Sequence, residues 1–137
     1  MILRSAGDED VPAVLELWSL ARSEHAITPD RAEDVERLVR EMPGSLLVAE
    51  DGGRLVGALI AAWDGWRGNM YRLAVHPDHR RHGIALSLVE EGERRLRLKG
   101  ARRITALVAR EDDVAGALWV TAGYAYDEVI GRFVRNV

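Results

Sequence analysis

From Leu73 to Ala85 the chain reads Leu73-Ala74-Val75-His76-Pro77-Asp78-His79-Arg80-Arg81-His82-Gly83-Ile84-Ala85, and no other stretch restricts its fold as much. An apolar run halts at a proline with no N–H for a sheet ladder. A basic turn follows, and apolar residues then recur at helical spacing from Gly83 onward. A strand that passes through a short turn into a helix aims the unpaired N–H groups of the first helical turn at that turn, with the partial positive charge of the helix dipole behind them. Arg80, Arg81 and His82 add donors suited to phosphate, and Gly83 leaves the backbone open where a Cβ would stand in the way of a pyrophosphate. The small Ala85 is expected to keep the helix close to the sheet. A short charge cluster is usually a solvated loop; the placement of this one between strand and helix favours an anion site. The spacing His76-x-x-His79-x-x-His82 invites a metal reading, but Pro77 prevents a continuous helix face and no carboxylate pattern completes a familiar ligand set.

The flanking sequence supplies the other elements. Ile2 to Ser5 reads as a strand, and a helix capped at Asp8 or Asp10 carries Val11, Val14, Leu15 and Trp18 to about Arg22. Trp18 belongs to the core by this pattern. Ser23 to Pro29 breaks the helix, and Asp30 to Glu41 gives a second one, ended by Pro43-Gly44. Leu46–Ala49 and Leu55–Ile60 flank Asp51-Gly52-Gly53-Arg54 and read as a β-hairpin. Trp63 to Asn69 is a turn-rich link, Met70–Val75 a strand, Gly83–Lys99 a helix stopped by Gly100, and Arg103–Ala109 a strand. Asp112 caps a last helix that ends at Gly123, and Tyr124–Asp127 and Val129–Val134 are expected as two short strands. This order predicts an α/β (α+β) mixed sheet covered by helices, with a parallel crossover from Met70–Val75 to Arg103–Ala109.

At 137 residues and 47% hydrophobic content, residues 1–137 fit one domain that buries a core without covalent staples. The absence of cysteine excludes disulfides, thiolate metal sites and a cysteine nucleophile. A net charge of −3 argues against general binding to nucleic acid. No apolar run approaches membrane-spanning length and no signal-peptide pattern follows Met1, so no membrane association is expected and the cytoplasm is the expected setting.

The six residues Arg80-Arg81-His82-Gly83-Ile84-Ala85 match the signature Arg/Gln-x-x-Gly-x-Gly/Ala, and with Leu73-Ala74-Val75-His76-Pro77 before them and Gly123-Tyr124 after the last helix the chain resembles the GNAT superfamily of N-acetyltransferases over nearly its whole length. Trp63-Asp64-Gly65 through Tyr71 is similar to its short, stand-alone bacterial members. The resemblance implies a mostly antiparallel sheet with one splayed parallel pair, helices on both faces, and acetyl-CoA as co-substrate. It assigns cofactor binding to Leu73, Ala74, Val75, Arg80, Arg81, His82, Gly83, Ile84, Ala85, Asp112 and Trp119. The pantetheine arm is expected along Met70–Val75, with Leu73 and Val75 acting through their backbone. The expected acceptor is a primary amine of a small molecule or a peptide; the chain is also compatible with a homodimer.

A general base or acid is not assigned by the sequence. Many relatives have Asn at the start of the last helix and a proton-donating Tyr seven positions on, where this chain has Asp112 and Trp119. The ribosomal-protein N-terminal acetyltransferases have a Glu base in the preceding strand, where this chain has Leu107. Glu24, His25, Asp64, Tyr71 and Tyr124 remain as candidates, each with an ordinary role as loop or core residue to set against it. A non-catalytic acyl-CoA-sensing module is the rival expectation.

Overall fold

The structure, a computed structural model, describes residues 1–21 and 30–137. In chain order it comprises β1 (Ile2–Ser5), a 3-10 turn (Asp8–Asp10), α1 (Val11–Ala21), α2 (Ala32–Glu41), β2 (Leu46–Asp51), β3 (Arg54–Trp63), β4 (Gly68–Val75), a second 3-10 turn (Pro77–His79), α3 (Ile84–Lys99), β5 (Ile104–Ala106) and α4 (Asp113–Thr121). The strands lie in the order β1-β2-β3-β4-β5, antiparallel except for the parallel pair β4–β5. Among the described residues no helix is long and apolar enough to cross a membrane.

The unbroken apolar run of β2 follows from burial on both faces. Leu47 and Ala49 join Ile84, Leu88, Val89 and Leu96 of α3 in one core cluster, while Leu46 and Val48 join Val14, Leu17 and Trp18 of α1 in the other. Close approach of α3 to the sheet depends on two glycines rather than on Ala85, which is partly exposed. A Cβ on Gly57 would meet Ile84 Cγ2 and Leu88 Cδ1, each at 2.9 Å, and one on Gly92 would meet Met70 Cε at 2.9 Å. A side chain at either glycine would therefore press on the side chains packed between the helix and the sheet.

Both ends of α3 agree with the expectation, as Gly83 and Gly100 flank it in left-handed conformations. Asp112 caps α4 by accepting from the Ala115 N–H at 3.0 Å. The start of α1 differs. Gly7 precedes the 3-10 turn, and Asp10, three residues on, reaches back to accept its N–H at 2.8 Å. The same carboxylate takes two bonds from Arg4, at 2.7 and 2.9 Å, which is how a charge can stay buried there.

Two strand expectations are corrected. β5 ends at Ala106 rather than Ala109, because β4 carries a bulge: Ala58 and Ile60 of β3 oppose Ala74 and Tyr71 of β4, leaving one extra residue on β4, with Arg72 at φ 54°. The bulge turns the far half of β4 away from β5. The segments Tyr124–Asp127 and Val129–Val134 form no strand, although their composition favours one: β5 remains the last strand of the sheet.

Candidate functional site

The backbone between β4 and α3 is curled by two left-handed residues, Arg81 at φ 64° and Gly83 at φ 76°. A Cβ on Gly83 would have no atom within 4 Å, so the space in front of the helix start is open. Helical bonding begins with the Ser87 N–H donating to the Gly83 carbonyl at 3.0 Å, which leaves the N–H groups of Ile84, Ala85 and Leu86 without helical partners. The side chain of Ile84 is buried and anchors the turn, while Arg80, Arg81, His82 and Gly83 are exposed around it. His76 is committed locally: its Nδ1 accepts from the Asp78 N–H at 3.1 Å and caps the 3-10 turn. Among the described residues no group of three or more His, Asp or Glu side chains stands close enough to hold a metal ion.

A second feature adjoins this cradle. β4 is eight residues long but pairs with β5 only over Gly68–Met70, and a last bond, from the Leu107 N–H to the Met70 carbonyl at 3.3 Å, marks where the strands part. The His76 N–H is taken by Val56 of β3 at 2.8 Å, so alternate residues Val75 and Leu73 turn their backbone groups toward the open side. The Val75 carbonyl indeed faces away from β3 and accepts from Arg80 Nε at 3.4 Å. Ala74 opposes Ala58 and its side chain packs on the α1 side, so it holds the strand in the sheet instead of lining the open edge.

Trp119 is buried, its ring meeting that of Tyr124 edge-to-face at 5.0 Å between centroids. Tyr124 Oη is buried without a hydrogen-bond partner; the Glu93 carboxylate lies near it without bonding geometry, and burial first, then Glu93, pushes the phenol well above its ordinary range. Burial, then Asp64, raises the Tyr71 phenol. Both tyrosines are thereby held protonated and are reluctant acids. Asp64 is spent on its turn, accepting from the N–H groups of Trp66 at 2.8 Å and Arg67 at 2.7 Å, and these bonds hold its carboxyl below the usual range. Glu24 and His25 lie outside the described residues. Leu107 is at the point of divergence, half-exposed.

One element of the site has no signature in the sequence. Arg72, at the bulge, forms an ion pair with Asp30 at 2.7 Å and lies 6.0 Å over the Trp18 ring, tying the distorted part of β4 to the α1 side. A non-glycine residue in the left-handed region carries no mark in composition or periodicity.

Comparison with known proteins agrees with this geometry. Residues 11–124 match the model of a family described as Acetyltransferase (GNAT) family. An acetyltransferase of Pectobacterium atrosepticum is 33% identical over 126 residues, covering 90% of this chain and 87% of the relative. Among solved structures, the ribosomal-protein-alanine N-acetyltransferase from Brucella melitensis superposes with a TM-score of 0.76 at 20% identity, over 90% of this chain and 83% of that one. The structure of AAC(6')-Iy in complex with a bisubstrate analogue, CoA-S-monomethyl-acetylneamine, gives 0.77 at 18% identity over 99% and 98%. At such identities the two structures share the fold with this chain.

Proposed function

Since this chain belongs to the acetyltransferase (GNAT) family and is an N-acetyltransferase with acetyl-CoA as donor, we propose that it acetylates a primary amine of a small molecule or peptide by direct attack in a ternary complex. The observation that carries this reading is the left-handed Gly83 at the start of α3, with open space before it, adjoining the unpaired edge of β4. The residues fit the donor in kind. First-turn N–H groups with Arg80 and Arg81 would hold its pyrophosphate, and Leu73 and Val75 would pair with its pantetheine amides as a neighbouring strand does.

Acetyl-CoA supplies an activated acetyl thioester. The chain's share is to place that thioester where the two strands part and to offer a backbone N–H to oxygen as charge develops on it. With no cysteine present there is no thiol to carry an acyl-enzyme, which favours direct attack by the amine. An alkyl amine of pKa about 10.4 is roughly one part in a few thousand neutral at pH 7, so removal of its proton matters more than protonation of the thiolate, whose parent thiol has a pKa of about 8.5. Tyr71 and Tyr124, held protonated, are poor bases, so the amine proton passes to another group or to a water chain. Residues 1–137 act as one catalytic domain in the cytoplasm under this reading, and the net charge of −3 gives no general attraction to nucleic acid.

The test is a thiol-release assay with acetyl-CoA across polyamines, amino acids, aminoglycosides and peptide N-termini, run beside calorimetry. Turnover of one amine class with saturable acetyl-CoA binding is expected. Binding without turnover across all four classes would instead favour a non-catalytic acyl-CoA sensor, and absence of binding would remove the reading altogether.

A further inference from the structure

We propose that the chain carries a second ligand site at the Gly68 end of β4, opposite the end that leads into the cradle, and that this site takes a small anion bearing a planar ring, a nucleoside monophosphate being the type of ligand. The proposal stands apart from the acetyl-transfer reading, since none of its residues belongs to the proposed donor site.

An open pocket of about 400 Å³, within the size range of small-molecule sites, lies where the β3–β4 turn meets the link from α3 to β5. Trp63 and Trp66 line it from the turn with Arg67 beside them, and Arg102 and Arg103 line it from the link. Backbone bonds fix both walls. The Asp64 carboxylate holds the turn through the N–H groups of Trp66 and Arg67, at 2.8 and 2.7 Å, and the Gly68 N–H donates to the Arg103 carbonyl at 3.2 Å, tying one wall to the other. Gly65 and Gly100 complete the lining at φ 92° and 108°; a Cβ on either would meet no atom within 4 Å, so the space beside them is open.

Charge and ring surface decide what fits. Trp66 is 73% exposed, and the Arg67 guanidinium lies 4.3 Å over its ring, covering one indole face and leaving the other to solvent. A lone exposed tryptophan needs no explanation; this one shares a pocket with three guanidinium groups. Among the described residues Arg67 and Arg102 form no ion pair, and Arg103 has only the exposed Asp127 carboxylate, 3.7 Å away. Asp64, the other carboxylate at the turn, is occupied by the bonds that hold it. The end of α3 at Gly100 adds about half a negative charge, which three cations outweigh. A phosphate, with its charge of about −1.5 to −2 and several acceptor oxygens, matches such a set better than a singly charged carboxylate, and a planar ring stacks on the free indole face. With the whole chain at a net charge of −3, this local patch suits a free nucleotide and not a long polyanion.

Titration of the full chain with uridine 5'-monophosphate, followed through the indole N–H signals of its four tryptophans in two-dimensional NMR, tests this. The signals of Trp63 and Trp66 should move and saturate together while those of Trp18 and Trp119 stay in place, and inorganic phosphate or uridine alone should bind more weakly. Trp66→Ala removes an exposed side chain and keeps the N–H that Asp64 holds, so the variant should fold and raise the dissociation constant by roughly tenfold or more; Arg102→Ala should do likewise. Absence of saturable shifts at Trp63 and Trp66 overturns the proposal, as does movement of Trp119 and the Gly83 amide in their stead, which would put the nucleotide in the cradle. It is overturned equally if phosphate or uridine alone binds as tightly as the nucleotide, or if either substitution leaves the affinity unchanged.

Discussion

Arg80 folds back from the basic turn so that its Nε donates to the carbonyl oxygen of Val75, 3.4 Å away, tying the end of β4 to the start of the anion cradle. One side chain thus links the two parts of the proposed donor site. Arg80→Ala should lower affinity for acetyl-CoA by about tenfold, through a lost cation and a looser turn, with less effect on melting temperature. Calorimetry checks this; an unchanged affinity would detach Arg80 from the site.

Gly83→Val should abolish acetyl-CoA binding. The new side chain would occupy the open space before α3, and a β-branched residue at φ 76° is strained by about 1–2 kcal/mol besides. Far-ultraviolet circular dichroism should show a folded protein, and the thermal shift that acetyl-CoA gives the parent should vanish. Arg81→Ala should weaken binding less.

Gly57→Val tests how packing supports the site. Its Cβ would press on Ile84 at 2.9 Å, and Ile84 is the first residue of α3, so the overpacking should cost about 1–3 kcal/mol and displace the cradle. Both the denaturation midpoint and acetyl-CoA affinity should fall. A change in stability alone would show that the cradle is held independently of β3.

Acid should destabilise the fold through two carboxylates. The hydrogen bonds from Arg4 hold Asp10 below its ordinary value of 3.8, and those from Arg94 and then Arg95 bring Glu91 down from 4.5 to about 2. Because both folded values are depressed, the stabilisation is complete above the ordinary carboxylate range and is lost as pH falls from there toward about 2. Melting temperature should drop across that window. Asp10→Asn should cost about 1.5–3 kcal/mol at pH 7 and make the acid limb shallower; an unaltered limb would assign the acid sensitivity to other groups.

Trp119→Tyr should leave turnover unimpaired or modestly raised per folded molecule. In the resembling enzymes a phenol at this position protonates the departing thiolate, but a leaving group with pKa about 8.5 gains far less than the roughly hundredfold effect of an essential acid. Loss of packing against Tyr124 should lower the melting temperature. If acetyl-CoA binding disappears in the folded variant, Trp119 is a required wall of the donor site and its role as a replaced acid falls away.

What the sequence by itself determined about this protein is local. Pro77 stops β4, Gly83 and Gly100 bound α3, Asp112 caps α4, and the Asp51–Arg54 turn joins two strands, because each of these outcomes depends on a few neighbouring residues and their backbone preferences. The strand-turn-helix segment proposed as the cradle was legible for the same reason, being contiguous from β4 into α3. The tertiary structure alone decided where β4 and β5 part, since that depends on a bulge at Arg72 that forms only when β3 fixes the register on the other side. It likewise decided that Gly57 and Gly92, far apart in the chain, set the depth of α3, and that the Tyr124 hydroxyl is buried, its ring against Trp119 and Glu93 nearby. The residues from Val129 onward show the physical limit: a strand is a relation between two backbones, and strand propensity by itself does not supply the pairing.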